Sequence, residues 1–212
     1  MKIYQMVVGP ISTNCYLLAD DEGKTAVIDP GASAPEIIRQ IKRLELVPEA
    51  VLLTHGHPDH IGGVKGMKEA YPEIPVIIGK EDAYRLPDAP RLMMWPSDFD
   101  AADYEGISAD RTVVNGDTVE VGSLRFDVIA TPGHTEGGVC YRCGEYLFTG
   151  DTLFCREVGR TDLKGGDFDT LLDSLRRLAA LEGEYAVLPG HGEVSSLDHE
   201  RSFNPYIRQA LR

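Results

Sequence analysis

Val-Leu-Leu-Thr-His-Gly-His-Pro-Asp-His-Ile-Gly-Gly, residues 51–63, joins an apolar run, a cluster of metal-binding side chains and a helix start. Val51 to Leu53 are aliphatic and read as the end of a buried strand. His55, His57, Asp59 and His60 then fall within six positions. Gly56 and Pro58 keep this stretch out of regular structure. Ile61 to Val64 leads into an amphipathic segment with Val64, Met67 and Tyr71 at helical spacing. The spread of donors suits two adjacent ions better than one, with His55 and His57 sharing a direction and Asp59 and His60 serving a neighbouring position. Imidazole and carboxylate together favour zinc, iron or manganese over calcium.

The chain has 6 histidines in 212 residues, and three of them lie in this stretch, which argues against a chance polar loop. His134 and His191 each follow an apolar strand-like run in a Gly-flanked turn, whereas His199 lies outside such a setting. Hydrophobic content of 42% and charged content of 26% are those of a globular protein, here expected as a single domain over residues 1–212. A net charge of −13 argues against binding a phosphate backbone, which needs clustered Lys and Arg. The start Met1-Lys2-Ile3-Tyr4-Gln5 is too polar for a secretory core, and no run approaches the roughly 20 apolar residues of a membrane span. Nucleic acid and membrane are thus not the expected partners, and the cytoplasm is the expected compartment. Cys140 and Cys143 form a C-x-x-C pair, but an offset of three on a strand sends the thiols to opposite faces, which reads as packing.

Along the chain, strands are expected near residues 3–8, 15–19, 25–29, 51–53, 76–78, 112–114, 118–121, 124–130, 139–142, 146–148 and 186–188. Ser33 and Glu36 read as a capping box for a helix with Ile37, Ile38, Ile41 and Leu44 on one stripe, stopped by Pro48. Asp167 opens another helix, with Leu171, Leu172, Leu175 and Leu178 on one face. A last helix spans about Glu200 to Leu211, broken at Asn204-Pro205. Residues 82–111 lose periodicity. Met93, Met94 and Trp95 there read either as a core plug or as part of a lid or self-association surface over Pro87 to Tyr104. Pattern alone supports an α/β or α+β fold.

Four motifs, Thr54 to His60, Thr131-Pro-Gly-His134, Thr149-Gly-Asp151-Thr-Leu-Phe and Pro189-Gly-His191-Gly, resemble in order and spacing those of the metallo-β-lactamase fold. The resemblance covers nearly the whole chain and is nearest to small relatives of glyoxalase II, the hydroxyacylglutathione hydrolases. It implies a four-layer αββα sandwich, two mixed sheets between outer helices. It also implies that His55, His57 and His134 bind one divalent ion, and Asp59, His60 and His191 a second, with Asp151 bridging. Zinc is the first choice of metal, with iron or manganese as alternatives. Asp59 and Asp151 serve catalysis in this reading, and a hydroxide shared by the ions attacks the substrate. Two ions carry +4, and two aspartates with a hydroxide return −3, so the site suits an anionic substrate.

The implied activity is hydrolysis of a hydroxyacyl-glutathione or related acyl thioester. Arg160 stands where the family holds a substrate carboxylate. Asp162 departs from the pattern, standing where an aromatic is usual, and the helical C-terminal domain that supplies most thiol-binding groups is not expected. The alternative is a mononuclear iron persulfide dioxygenase on the same fold, whose Gly-Arg-Thr-Asp run resembles Gly159 to Asp162. A monomer or homodimer is expected.

Overall fold

The computed structural model describes residues 1–86 and 100–212. One six-stranded sheet runs in sequence order: β1 (Lys2–Val8), β2 (Thr13–Ala19), β3 (Lys24–Ile28), β4 (Val47–Leu53), β5 (Val76–Gly79) and β6 (Arg111–Val113). Its first three strands pair antiparallel and the rest are added in parallel. The second sheet contains β7 (Thr118–Val121), β8 (Leu124–Ala130), β9 (Val139–Cys143), β10 (Tyr146–Gly150), β13 (Ala186–Pro189) and β14 (Ser195–Ser196). Its order is β14-β13-β10-β9-β8-β7, with β10 and β13 the parallel pair. A small hairpin, β11 (Leu153–Phe154) and β12 (Glu157–Val158), stands apart.

Alternation along the strands builds the layers. Ala50 and Leu52 face the second sheet, in a core shared by Tyr16 and Ile28 of the first sheet and Phe126, Tyr141 and Phe148 of the second. Val51 and Leu53 point the other way, onto α1 (Ala34–Arg43) and α3 (Val64–Ala70) through Ile37, Ile41, Val64 and Met67. The outer face of the second sheet, with Cys140, Leu147 and Val187, packs on α4 (Phe168–Ala179), α5 (Leu197–Phe203) and α6 (Pro205–Ala210). Strands buried on both faces need unbroken apolar runs, which is why Val51 to Leu53 shows no polar alternation. The result is the αββα sandwich of two mixed sheets. Cys140 and Cys143 lie in different cores on opposite faces of β9, and both are free thiols.

Several local readings change. Ser33 does not cap α1, because it sits in the left-handed region at φ 54° and its hydroxyl accepts no amide. Its backbone carbonyl takes the Glu36 and Ile37 amides instead, and Pro35 has no amide to satisfy. Pro48 does not stop the helix, which has ended at Arg43; it lies within β4, at the register shift against β3. Pro58 starts a helical turn, α2 (Pro58–Ile61), as a first-turn proline can. The last helix begins at Leu197 rather than Glu200 and breaks at Asn204 as read. Asp167 caps α4 by accepting the Thr170 amide.

Met93, Met94 and Trp95, and the lid reading for residues 87–99, lie outside the described residues. Of the remainder, Tyr104 closes a 3₁₀ turn, Ala101–Tyr104, is buried, and donates its hydroxyl to the Pro58 carbonyl at 3.1 Å. Among the described residues no helix is long and apolar enough to cross a membrane.

Phe126 is fully buried between the sheets, edge-on to Tyr141 and tilted against Phe148. Phe126→Ala is expected to destabilise the protein by about 3–5 kcal/mol. Phe203→Ala, at a residue 54% exposed, is expected to stay within about 0.5 kcal/mol. Urea unfolding of the two variants compares these costs, and equal midpoints would contradict the layer assignment.

Candidate metal centre

Every donor-bearing loop leaves the same end of the sandwich. His55 to His60 follows β4, His134 follows β8, Asp151 follows β10 and His191 follows β13. The first sheet reaches the last loop at this end, where the Asn14 amide donates to the Gly190 carbonyl at 2.7 Å and Thr13 bridges to His191. Gly190 must lack a side chain, because a Cβ there would overlap Asp151 Oδ1 and the His60 ring.

His55 Nε2 stands 3.1 Å from His57 Nδ1, which is 2.8 Å from His134 Nε2. The outer nitrogens are engaged elsewhere: His55 Nδ1 with Thr54 Oγ1 at 3.1 Å, and His134 Nδ1 donating to the Arg160 carbonyl at 2.7 Å. A carbonyl only accepts, so His134 carries its proton on Nδ1 and turns a lone pair inward. In the second group His60 Nε2 lies 3.2 Å, and His191 Nε2 3.1 Å, from Asp59 Oδ2. Asp151 spans the two, its Oδ2 3.5 Å from His134 Nε2 and its Oδ1 3.3 Å from His60 Nε2. The structure therefore brings all seven residues of the sequence reading into one contiguous site.

Burial in this site creates a demand for positive charge. His60 Nδ1 is 2.9 Å from Asp29 Oδ2, to which it donates, leaving the Nε2 lone pair inside. His60 Nε2 and Asp151 Oδ1 are both buried without a hydrogen-bond partner. Such atoms are costly unless something binds them. A divalent ion satisfies both, and three groups of donors within 4.8 Å of one another fit that role: His55, His57 and His134; His55, His60 and Asp151; Asp59, His60 and His191. The imidazole and carboxylate set suits zinc, iron or manganese.

The electrostatics divide the site. Burial, reinforced by the neighbouring imidazoles, lowers His55 well below the usual range and His57 to about 3, so both rings are neutral at pH 7. For His60, burial works downward but Asp59, Asp151 and Asp29 outweigh it, and the ring titrates well above its ordinary value. His191 is raised in the same way by Asp59 and Asp151. Burial pushes Asp59 up, yet His60 and His191 bring it well below the normal range. His191 is also the most open of the seven, at 24% exposure, with the Phe154 ring 6.1 Å away.

The sequence reading missed the residues that aim these donors. Asp29, at the end of β3 with φ 48°, accepts the Thr54 amide at 2.7 Å and the Thr54 hydroxyl at 2.6 Å besides orienting His60. Thr13 donates its hydroxyl to Asp59 Oδ2 at 3.0 Å. A left-handed non-glycine after a strand is strained, and here three bonds hold it. The only sequence signal was Asp29-Pro30-Gly31, which looks like an ordinary turn. Arg160 lies on the same rim, with 41% of its side chain exposed, and its Nε and Nη2 grip the Asp162 carboxylate at 2.6 and 2.7 Å.

A fourth donor group, Cys155, His199 and Glu200, lies outside this centre. Glu200 there accepts from the Ser195 hydroxyl, the Arg156 amide and the Asn204 side-chain amide, and so ties the C-terminal helices to the β11–β12 hairpin.

A family model described as the metallo-β-lactamase superfamily matches residues 8–191. The hydroxyacylglutathione hydrolase GloC of Haemophilus influenzae is 31% identical, over 98% of this chain and 98% of its own length. Among solved structures, BLEG-1 B3 metallo-β-lactamase superposes with a TM-score of 0.88 at 34% identity, covering 97% of this chain and 99% of that one. TTHA1623 in a di-iron-bound form gives 0.86 at 33% identity, over 96% and 100%. ETHE1 from Myxococcus xanthus gives 0.80 at 32% identity, over 97% and 84%.

Metal loading is expected to release protons unevenly. Ligands must be deprotonated to bind, and His60 and His191 hold their protons more tightly than an ordinary imidazole while His55 and His57 are already neutral. Filling the second group should therefore release protons and weaken steeply as pH falls, whereas His55 and His57 contribute none on filling the first. Calorimetric zinc titration in two buffers of different ionisation enthalpy measures this. Equal proton release for both ions would contradict the electrostatic division.

Proposed function

This chain belongs to the metallo-β-lactamase superfamily, and we propose that it is a binuclear metal-dependent hydrolase of acyl thioesters, of hydroxyacylglutathione hydrolase type. The observation that carries the reading is the pair of adjoining donor groups, His55/His57/His134 and Asp59/His60/His191, with Asp151 reaching both. Likeness to GloC over the whole chain supports the thioester class, and likeness to a di-iron structure supports two ions.

When bound, two divalent ions supply a Lewis acid for a carbonyl and acidify water so that it is nucleophilic at neutral pH. The chain's own residues set the stage. Asp151 keeps its carboxylate between the two groups, Asp29 turns the His60 lone pair inward, and Thr13 fixes Asp59. No protein nucleophile is needed, and Cys15, Cys140 and Cys143 are buried away from substrate. A thiolate leaving group departs without a proton from the protein. Substrate approaches past His191, the most open ligand, and Arg160 on the rim takes its carboxylate. The bidentate grip on Asp162 is the geometry a substrate carboxylate would adopt in its place.

A persulfide dioxygenase using one iron is the second reading, favoured by likeness to ETHE1 and by the run Gly159 to Asp162. The complete second donor group supports the hydrolase instead. Metal content by mass spectrometry, run with a panel of thioesters, a β-lactam and glutathione persulfide, separates the readings. Two ions with thioester hydrolysis are expected; one ion with oxygen uptake on the persulfide would move the assignment to the dioxygenase.

Asp59→Ala and His60→Ala are each expected to lose one ion and to lower thioester hydrolysis roughly 100-fold or more, with the fold retained. Wild-type rates in either variant would rule out the binuclear reading. Arg160→Ala should raise KM for carboxylate-bearing thioesters about twofold to fivefold with kcat little changed, the modest range of a solvent-exposed pair. Asp162→Ala should lower the same KM by removing the competing carboxylate. An equal effect of Arg160→Ala on uncharged thioesters would make the arginine structural.

A further inference from the structure

We propose that Asp82 is the positioning residue of the first histidine group, locking the loops of His55/His57 and of His134 into one metal-binding arrangement. The proposal rests on the reading of that group as a metal site. Asp82 touches none of the ligand rings. It ends a 3₁₀ turn, Lys80–Asp82, directly after β5, and is fully buried. One carboxylate oxygen, Oδ2, accepts the Gly56 amide and the Thr135 hydroxyl, each at 2.8 Å. The other, Oδ1, accepts the Gly137 amide at 2.8 Å and Arg85 Nε at 3.2 Å.

These partners are placed where they matter for the rings. Gly56 separates His55 from His57, and Thr135 follows His134, so one oxygen ties together the two loops that must meet across 2.8 Å at His57 and His134. Binding sites of this kind tolerate only about 0.5 Å of error in their donors. The loops also lie directly on the turn: a Cβ on Gly56 would overlap the Arg85 side chain, and one on Gly137 would overlap the Asp82 amide nitrogen. Arg85, itself buried, neutralises Asp82 and continues to Glu136 and to the Lys164 carbonyl, the latter at 2.8 Å. Tyr84 donates its hydroxyl to the same Glu136. The clamp thereby reaches a third loop, the one that carries Arg160.

None of these bonds goes to the second donor group. Asp59, His60 and His191 are held by Thr13 and Asp29 and by contact with Asp151. Loss of Asp82 should therefore affect one ion and spare the other. A purely structural buried ion pair would instead lower stability and weaken both ions together. Asp20 provides the comparison. It is a buried carboxylate holding the Glu22, Lys24 and Ser123 amides, just past the end of β2 opposite Thr13 and the centre.

The test is zinc affinity of the full chain, measured for each equivalent by competition with a chromophoric chelator. Asp82→Asn and Asp82→Ala are expected to weaken one of the two ions about 10- to 100-fold and leave the other within about threefold. In a His60→Ala background, where the first group binds alone, Asp82→Asn should show the full loss; in a His57→Ala background it should show none. Asp20→Ala should lower the unfolding midpoint while keeping both affinities. Should Asp82→Ala fail to fold, Thr135→Val deletes one hydroxyl donor at constant charge and should weaken the same ion severalfold. Wild-type affinity for both ions in Asp82→Asn, or equal weakening of both, overturns the proposal alone. A wild-type chain that binds fewer than two zinc ions overturns it together with the binuclear reading.

Discussion

Two electron-rich atoms, His60 Nε2 and Asp151 Oδ1, face each other across 3.3 Å in the interior with no donor between them. Left so, they repel, and the surrounding low dielectric strengthens that repulsion. A cation removes the conflict, whether a proton on His60 or a divalent ion. The rest of the site is arranged to keep this demand alive: Asp29 holds the His60 ring with its lone pair inward, and Gly190 lets the last loop close over the gap without adding a side chain. Charge demand, more than cavity shape, is what singles out this end of the sandwich.

Two buried aspartates divide the work of aiming the ligands. Asp29 leaves β3 in a left-handed conformation and fixes the start of the His55 loop through Thr54, then orients His60. Asp82 leaves β5 and fixes the middle of that loop together with the loop of His134. β3 and β5 flank β4 on either side, so the strand that delivers the ligand cluster is gripped from both of its neighbours. Carboxylates suit this position because each accepts several donors at once, and peptide groups in such a loop have no regular partners.

The clustered donors were legible because chemistry concentrates them in sequence: four fall between His55 and His60, and the others follow apolar strands. The strands were legible as short apolar runs such as Val51 to Leu53, which are buried on both faces, but their stacking into layers came only from the family resemblance, because pairing between sheets is not local information. Asp29 and Asp82 were not, since their partners lie 25 to 55 residues away and each sits in what reads as a solvent turn. Ser33 failed as a cap because sequence spacing does not report φ, and the left-handed backbone there turns the hydroxyl from the helix. Pro48 misled because a parallel strand tolerates proline at a register irregularity. Arg160 was read only as a residue for a substrate carboxylate, and its bidentate engagement with Asp162 depends on side-chain geometry that a motif does not carry.

The Thr13 to His191 bridge, and the approach of His191 to Asp59 across a sequence separation of 132, also bear on how the protein is made. Contacts that distant form late, because loop closure must precede them. The N-terminal sheet can gather His55, His57, Asp59 and His60 while the remainder of the chain is still being synthesised, but that partial set lacks His134, Asp151 and His191. The complete donor set therefore comes into being only when the two sheets dock, so maturation of the site belongs to the last stage of folding rather than to its beginning.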